Sequence, residues 1–233
     1  MRLVFVSGWA HPADAFRPVA DTLGPDRDCT LVSVPAPGAG SLAEALARTV
    51  NNPAEPCAAI GWSTGAIVIL DMLARGLAEP ARVVLVAATA RFCRAGDYPH
   101  GVRPSTLRAM QAGLRKRPDE TLSTFFRECA FPGTIPDIVV EHRVSEALAQ
   151  GLDVLSSGLA YLAETDLREN LSGIITPALV IHGKEDRIVP VGAGRFVADH
   201  LPSAELTVYP NAGHDLPSTH AERLVTAIST FLD

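Results

Sequence analysis

The chain has 233 residues, 47% of them hydrophobic and 20% charged, which predicts one globular domain with a sizeable core. Its net charge of −6 argues against a nucleic-acid partner. Cys29, Cys57, Cys93 and Cys129 form neither a CxxC pair nor a Cys/His cluster with zinc spacing, so free thiols, a reducing compartment and no metal are expected.

The N-terminal MRLVFVSGW carries one arginine and a short apolar run. That is too short for a signal peptide or a bilayer span, so a cytoplasmic protein with no membrane partner is expected. Six short apolar, β-branched runs then recur in chain order: LVFVSG (3–8), CTLVSV (29–34), CAAIGW (57–62), RVVLVAA (82–88), ALVIHG (178–183) and ELTVYP (205–210). Each is apolar almost throughout, as in a parallel sheet covered on both faces. Between them, PAPGAGS (35–41) reads as a Pro/Gly turn, and 41–50 as a helix opened by a capping box of Ser41 and Glu44. Residues 66–75, 192–201 and 219–232 fill further helical slots. The alternation predicts an α/β, mostly parallel, doubly wound sheet of about six strands.

The alternation breaks between 91 and 172. This stretch reads as four helices, 104–115, 118–129, 136–150 and 152–163, with no convincing strand. Asp153 and Asp166 read as helix caps within it. The expected organisation is a core of 1–90 and 173–233 carrying a helical insertion, 91–172, as a lid.

Gly61-Trp62-Ser63-Thr64-Gly65 fits G-x-S-x-G between a strand and an apolar helix, the setting of a nucleophile elbow. The competing reading is an ordinary turn with Ser63 capping the helix. A serine hydroxyl needs a histidine to take its proton and a carboxylate to orient that histidine. With this elbow the chain order is serine, acid, histidine. His214, in PNAGHDLP after the last strand, fits best; His220 falls at the start of the terminal helix, and His182 reads as packed inside a strand. The acid lies in HGKEDRIVP (182–190) as Asp186 or Glu185. The oxyanion donors are the N–H of Thr64 and an N–H from the loop after the first strand, where Trp9 is the candidate.

With these residues in view, the chain resembles the α/β-hydrolase superfamily over its whole length, and within it the BioH-type esterases of biotin synthesis. The carrying segments are GWSTG, RFCRAGDYPHGVRPSTLRAM, DVLSSGLAYLAETDLRENL, IHGKEDRIVP and NAGHDLP. The D-x-x-V-P pattern of the acid loop favours Asp186. The resemblance implies a serine carboxylesterase that cleaves the methyl ester of pimeloyl-acyl carrier protein, with catalytic Ser63, Asp186 and His214. It places substrate against Trp9, Ser63, Thr64 and His214, and against the stretch Phe125, Phe126, Arg127, Glu128 and Cys129. No cofactor and a monomer are expected. The chain departs from the family in three places. It has Ser7-Gly8-Trp9-Ala10 where His-Gly-Trp-Gly is usual, Thr64 and Ala66 where the elbow usually has Leu and Gly, and no leading hairpin. None of these removes a catalytic atom.

Two other readings stand beside this one. One is a general carboxylesterase, thioesterase or C–C bond hydrolase on small acyl substrates. The other is a non-catalytic hydrolase-fold binding protein. Residues 91–129 carry eight cationic side chains against four acidic ones. The plain reading is a solvated helix face. The sharper reading is a docking rim for an acidic acyl carrier protein, including Arg108, Arg115, Lys116, Arg117 and Arg127.

Overall fold

The computed structural model describes residues 1–24, 27–34, 41–51 and 56–233. The predicted turn at 35–41 therefore lies, apart from Ser41, outside the described residues. Six strands form one sheet: β1 (Arg2–Val6), β2 (Cys29–Val32), β3 (Cys57–Trp62), β4 (Arg82–Val86), β5 (Ala178–Gly183) and β6 (Ala204–Tyr209). Their order is β2-β1-β3-β4-β5-β6, and every pairing is parallel. The strands coincide with the six apolar runs because both faces are covered. Along β1, Leu3 and Phe5 enter one core cluster while Val4 and Val6 enter the other.

One face is covered by α1 (Arg17–Leu23) and α10 (Ala221–Leu232), which bury Phe16, Val19, Leu224 and Ile228 with the strands. The other is covered by α2 (Leu42–Val50), α3 (Thr64–Ala74) and α8 (Val191–His200). The capping box of α2 is closed by both bonds, Glu44 N–H to Ser41 Oγ at 3.2 Å and Ser41 N–H to Glu44 Oε2 at 3.0 Å. The terminal helical slot is divided: α9 (Leu216–Thr219) stops at His220, where α10 begins.

Between β4 and β5 lie α4 (Pro104–Lys116), α5 (Pro118–Ala130), α6 (Asp137–Ala149) and α7 (Leu152–Glu164). Their burial on one side joins them to the α2/α3 core through Leu107, Leu122, Phe126 and Leu159. Asp153 stands in the first turn of α7. Asp166 is not a helix cap. It follows α7 and pairs with Arg91 and Arg168, because two guanidinium groups reach it where the chain returns to the sheet. The four cysteines are free thiols. No helix among the described residues is long and apolar enough to cross a membrane.

Candidate active site

The chain reverses direction of winding between β1 and β3, the position where parallel α/β sheets open a crevice at their C-terminal edge. Ser63 follows β3 directly, at the N-cap of α3. Its backbone takes φ 57° and ψ −119°, a conformation that costs a non-glycine residue about 1–3 kcal/mol and persists only when neighbours over-determine it. The neighbours do so here. A side chain on Gly61 would meet Ala66 N at 2.6 Å, and one on Gly65 would strike the Val6 carbonyl. Only glycine fits on either side of the serine, which is why the motif has that spacing. Ser63 N–H donates to Val86 O at 2.8 Å. Its side chain makes no capping bond, so the helix-cap reading fails, and among the described residues its hydroxyl makes no hydrogen bond.

The loop after β1 runs against the serine. A Cβ on Gly8 would sit 3.1 Å from Ser63 Cβ and 3.7 Å from Oγ. Ser7, where a histidine is usual, is buried and donates to His11 O at 3.2 Å. That bond ties the loop into a tight turn. Among the described residues, neither the Trp9 nor the Thr64 N–H has a backbone acceptor. The Trp9 ring is packed as well: its indole N–H donates to Leu155 O at 2.8 Å, and it meets Phe125 edge-on at 5.0 Å.

Asp186 follows β5 and is buried. Its Oδ1 accepts the N–H of Ile188 and of Val189, each at 2.8 Å. Its Oδ2 lies 2.7 Å from His214 Nδ1. Burial pushes the Asp186 carboxyl up, but the His214 and His182 imidazoles override it and hold it well below the usual carboxylate range. Glu185 faces elsewhere, with Oε2 accepting Ala212 N–H at 3.1 Å. His182 is packed as expected, its Nε2 2.8 Å from Val189 O. His220 lies at the head of α10 beside Thr219. With Nδ1 of His214 committed to Asp186, Nε2 is the nitrogen left to accept a proton. The Trp62 indole, one residue before Ser63, donates to His214 O at 2.9 Å, linking the serine turn to the histidine loop.

A cavity of about 80 Å³ opens at Ser63 and Thr64 and is otherwise mostly apolar, with Phe92, Leu107, Phe125 and Leu162 in its wall. A groove of about 460 Å³ between α4 and α5 adjoins it. The two share Thr106, Met110, Phe125, Arg187 and Ile188. Helical periodicity divides the stretch 125–129. Phe125 lines both spaces and Glu128 the outer one. Phe126 and Cys129 are buried in the core, and Arg127 faces outward to Asp137 at 2.7 Å. Residues one and two positions away from Phe125 point to other faces of α5. Arg117 is paired with Glu120 at 2.9 Å. Arg108, Arg115 and Lys116 are exposed on α4 and form no ion pair among the described residues.

Sequence reasoning missed His11. It is buried against Trp62, ring centroids 4.3 Å apart, and against Phe126 at 5.3 Å. Burial pushes its pKa down to about 3, so it stays neutral. Among the described residues there is no cluster of three or more His, Cys, Asp or Glu side chains that could hold a metal.

A parallel sheet with a strained serine turn, a buried acid and a histidine loop on one edge defines the α/β-hydrolase fold. The alpha/beta hydrolase family matches residues 3–227, and the chain belongs to that family of hydrolases. It is 29% identical to the pimeloyl-[acyl-carrier protein] methyl ester esterase of Nitrosomonas europaea over 91% of this chain and 88% of that protein. It is 28% identical to the protein of the same name from Chromobacterium violaceum over 99% and 94%. Among solved structures, an esterase from Exiguobacterium antarcticum superposes with a TM-score of 0.89 at 18% identity, covering 100% of this chain and 92% of that one.

Proposed function

We propose that the chain is a serine carboxylesterase that hydrolyses the methyl ester of a pimeloyl group carried on acyl carrier protein. The observation that carries the esterase reading is the strained Ser63, held between two obligatory glycines on the sheet edge that also presents the His214–Asp186 pair at 2.7 Å. The names of the full-length relatives support the choice of substrate.

In this mechanism Ser63 Oγ attacks the ester carbonyl carbon as His214 Nε2 takes its proton. The oxygen that becomes negative is met by the Trp9 and Thr64 N–H groups. Collapse of the tetrahedral species breaks the C–O bond to the methoxy group, and His214 returns the proton so that methanol leaves. Water, deprotonated by His214, then cleaves the acyl-enzyme and regenerates Ser63. Among the described residues the His214 ring bonds Asp186 and its carbonyl accepts the Trp62 indole, and no bond joins it to Ser63 Oγ; in this mechanism that bond forms when the acyl group binds, as is common for catalytic hydrogen bonds. Residues 91–172 act as a lid over this centre. The small inner cavity suits the ester end, and the α4–α5 groove suits the acyl chain and the arm of its carrier.

The α4 cations that form no ion pair among the described residues give an acidic carrier a surface to approach. The test compares dimethyl pimelate with the carrier-bound methyl ester. Reversing Arg115 and Lys116 to glutamate raises KM about tenfold or more for the carrier-bound ester and leaves the free diester unchanged. Added salt weakens the carrier-bound reaction more in the wild type than in the variant. Equal effects on both substrates favour a general carboxylesterase with no carrier docking on α4.

A further inference from the structure

The loop bearing His214 runs from the end of β6 to α9, and its outer side is held by α5 and α6. Asp215 N–H donates to Cys129 O at 3.1 Å. Gly213 lies so close beneath the Phe131 carbonyl that any side chain there would strike it. From α6, Arg143 Nη1 donates to Asp215 Oδ2 at 2.7 Å and Nη2 to Ser218 Oγ at 3.1 Å. Asp215 is only 1% exposed, and its Oδ1 has no hydrogen-bond partner among the described residues. A second carboxylate has thus been taken out of water one residue from His214. Burying such a pair brings little net stability over an apolar one, so packing alone does not account for it.

We infer that Arg143 is a positioning residue that acts through Asp215: it fixes the His214 loop to α6 and cancels the second negative charge beside the imidazole. The inference rests on the reading of His214 as the general base. The titratable and charged groups packed about the His214 loop are Asp186 on His214 Nδ1, the adjacent Asp215 with Arg143 on it, Cys129, whose carbonyl accepts the Asp215 N–H, His11 and, behind Asp186, His182. Burial holds His11 neutral even though Asp215 pulls the other way. Burial, Asp215 and Asp186 together push the Cys129 thiol well up, so it stays protonated. Asp186, Asp215 and Arg143 are therefore the fixed charges. With all three present, the imidazolium formed during catalysis faces a net single negative charge. Without the guanidinium it faces two, and the resting imidazole keeps its proton to higher pH, where it is no base.

The test measures kcat/KM against pH on a small free ester. In Arg143→Met, the acid limb moves up by about one pH unit and kcat at neutral pH falls about 10–100-fold, with KM changing less than about twofold. Arg143→Lys keeps the limb in place. Adding Asp215→Asn to Arg143→Met returns the limb toward the wild-type position, because the second charge is gone. A clamp that is only mechanical would lower kcat in both variants and move no limb, and that result would overturn the inference. If Arg143→Met fails to fold, Asp215→Asn alone decides: the limb moves to lower pH, or the inference is wrong. Ser63→Ala, assayed alongside, keeps the two readings apart. Residual high activity there removes the general-base reading, whereas an inactive Ser63→Ala with unmoved limbs removes only the role of Arg143.

Discussion

The turn at 61–65 and helix α5 both border the space at Ser63, and they tolerate change in opposite ways. In the turn, backbone atoms crowd Gly61 and Gly65, so each is fixed by what its neighbours leave room for, and Ser63 between them is held at positive φ. In α5, the helical period alone decides which side chains face inward. Phe125 reaches the cavity, while Phe126, one residue on, belongs to the core. On the proposed reading, change in the turn has all-or-none effects, and change along the helix has graded ones.

The sharpest break of that comparison is Ser63→Ala. It lowers kcat by on the order of 10³–10⁶ and leaves thermal unfolding close to wild type. His214→Ala falls in the same range, and the double variant is little worse. Near-normal turnover in Ser63→Ala would end the esterase mechanism. Next comes the acid. Asp186→Asn loses about 10⁴ in kcat because the histidine tautomer is no longer fixed. Glu185→Gln, whose carboxylate bonds a loop amide instead, loses less than about tenfold. The reverse order of these two would move the acid by one residue.

The graded side is read from α5. Phe125→Ala raises KM for a long-chain acyl ester about tenfold, the worth of one lost apolar contact of about 1–3 kcal/mol. Phe126→Ala instead costs about 3–5 kcal/mol of stability by urea unfolding. Equal KM effects of the two would mean that α5 turns differently over the site. The last effect, on stability and not on turnover, belongs to His11. Unfolded, it takes a proton near 6.5, and folded near 3. Between those values the unfolded chain binds more protons, so native stability falls as pH drops below about 6.5, by up to ~1.4 kcal/mol per unit from this group. Urea midpoints at pH 7 and 5 should fall less steeply in His11→Phe than in wild type.

All six strands could be read from the sequence because a strand covered on both faces is apolar along its length. The helix α1 could not, since it spans seven residues and buries only Val19 and Ala20. The serine turn and the acid loop were legible as local structures because turn chemistry at strand ends marks their positions. Glu185 and Asp186 are adjacent acids, and only the fold shows which one turns to His214. Arg143 and Asp215 were beyond sequence reasoning. They stand 72 residues apart, and nothing in the sequence says that this aspartate is buried. Nor could composition separate Arg117 and Arg127, which pair with Glu120 and Asp137, from the cations on α4 that form no ion pair among the described residues.

The chain contains two tryptophans, and both border Ser63. Trp9 lines the cavity with its ring against Phe125, and Trp62 is anchored to the carbonyl of His214. Every indole fluorophore of this protein is thus within the region that an acyl group would occupy or disturb. Its intrinsic emission has no distant background to dilute a local change. Acylation of Ser63 by a slow ester should appear as a change in tryptophan intensity or wavelength in stopped flow, with no label attached, and the decay of that signal would time the release of the acyl group.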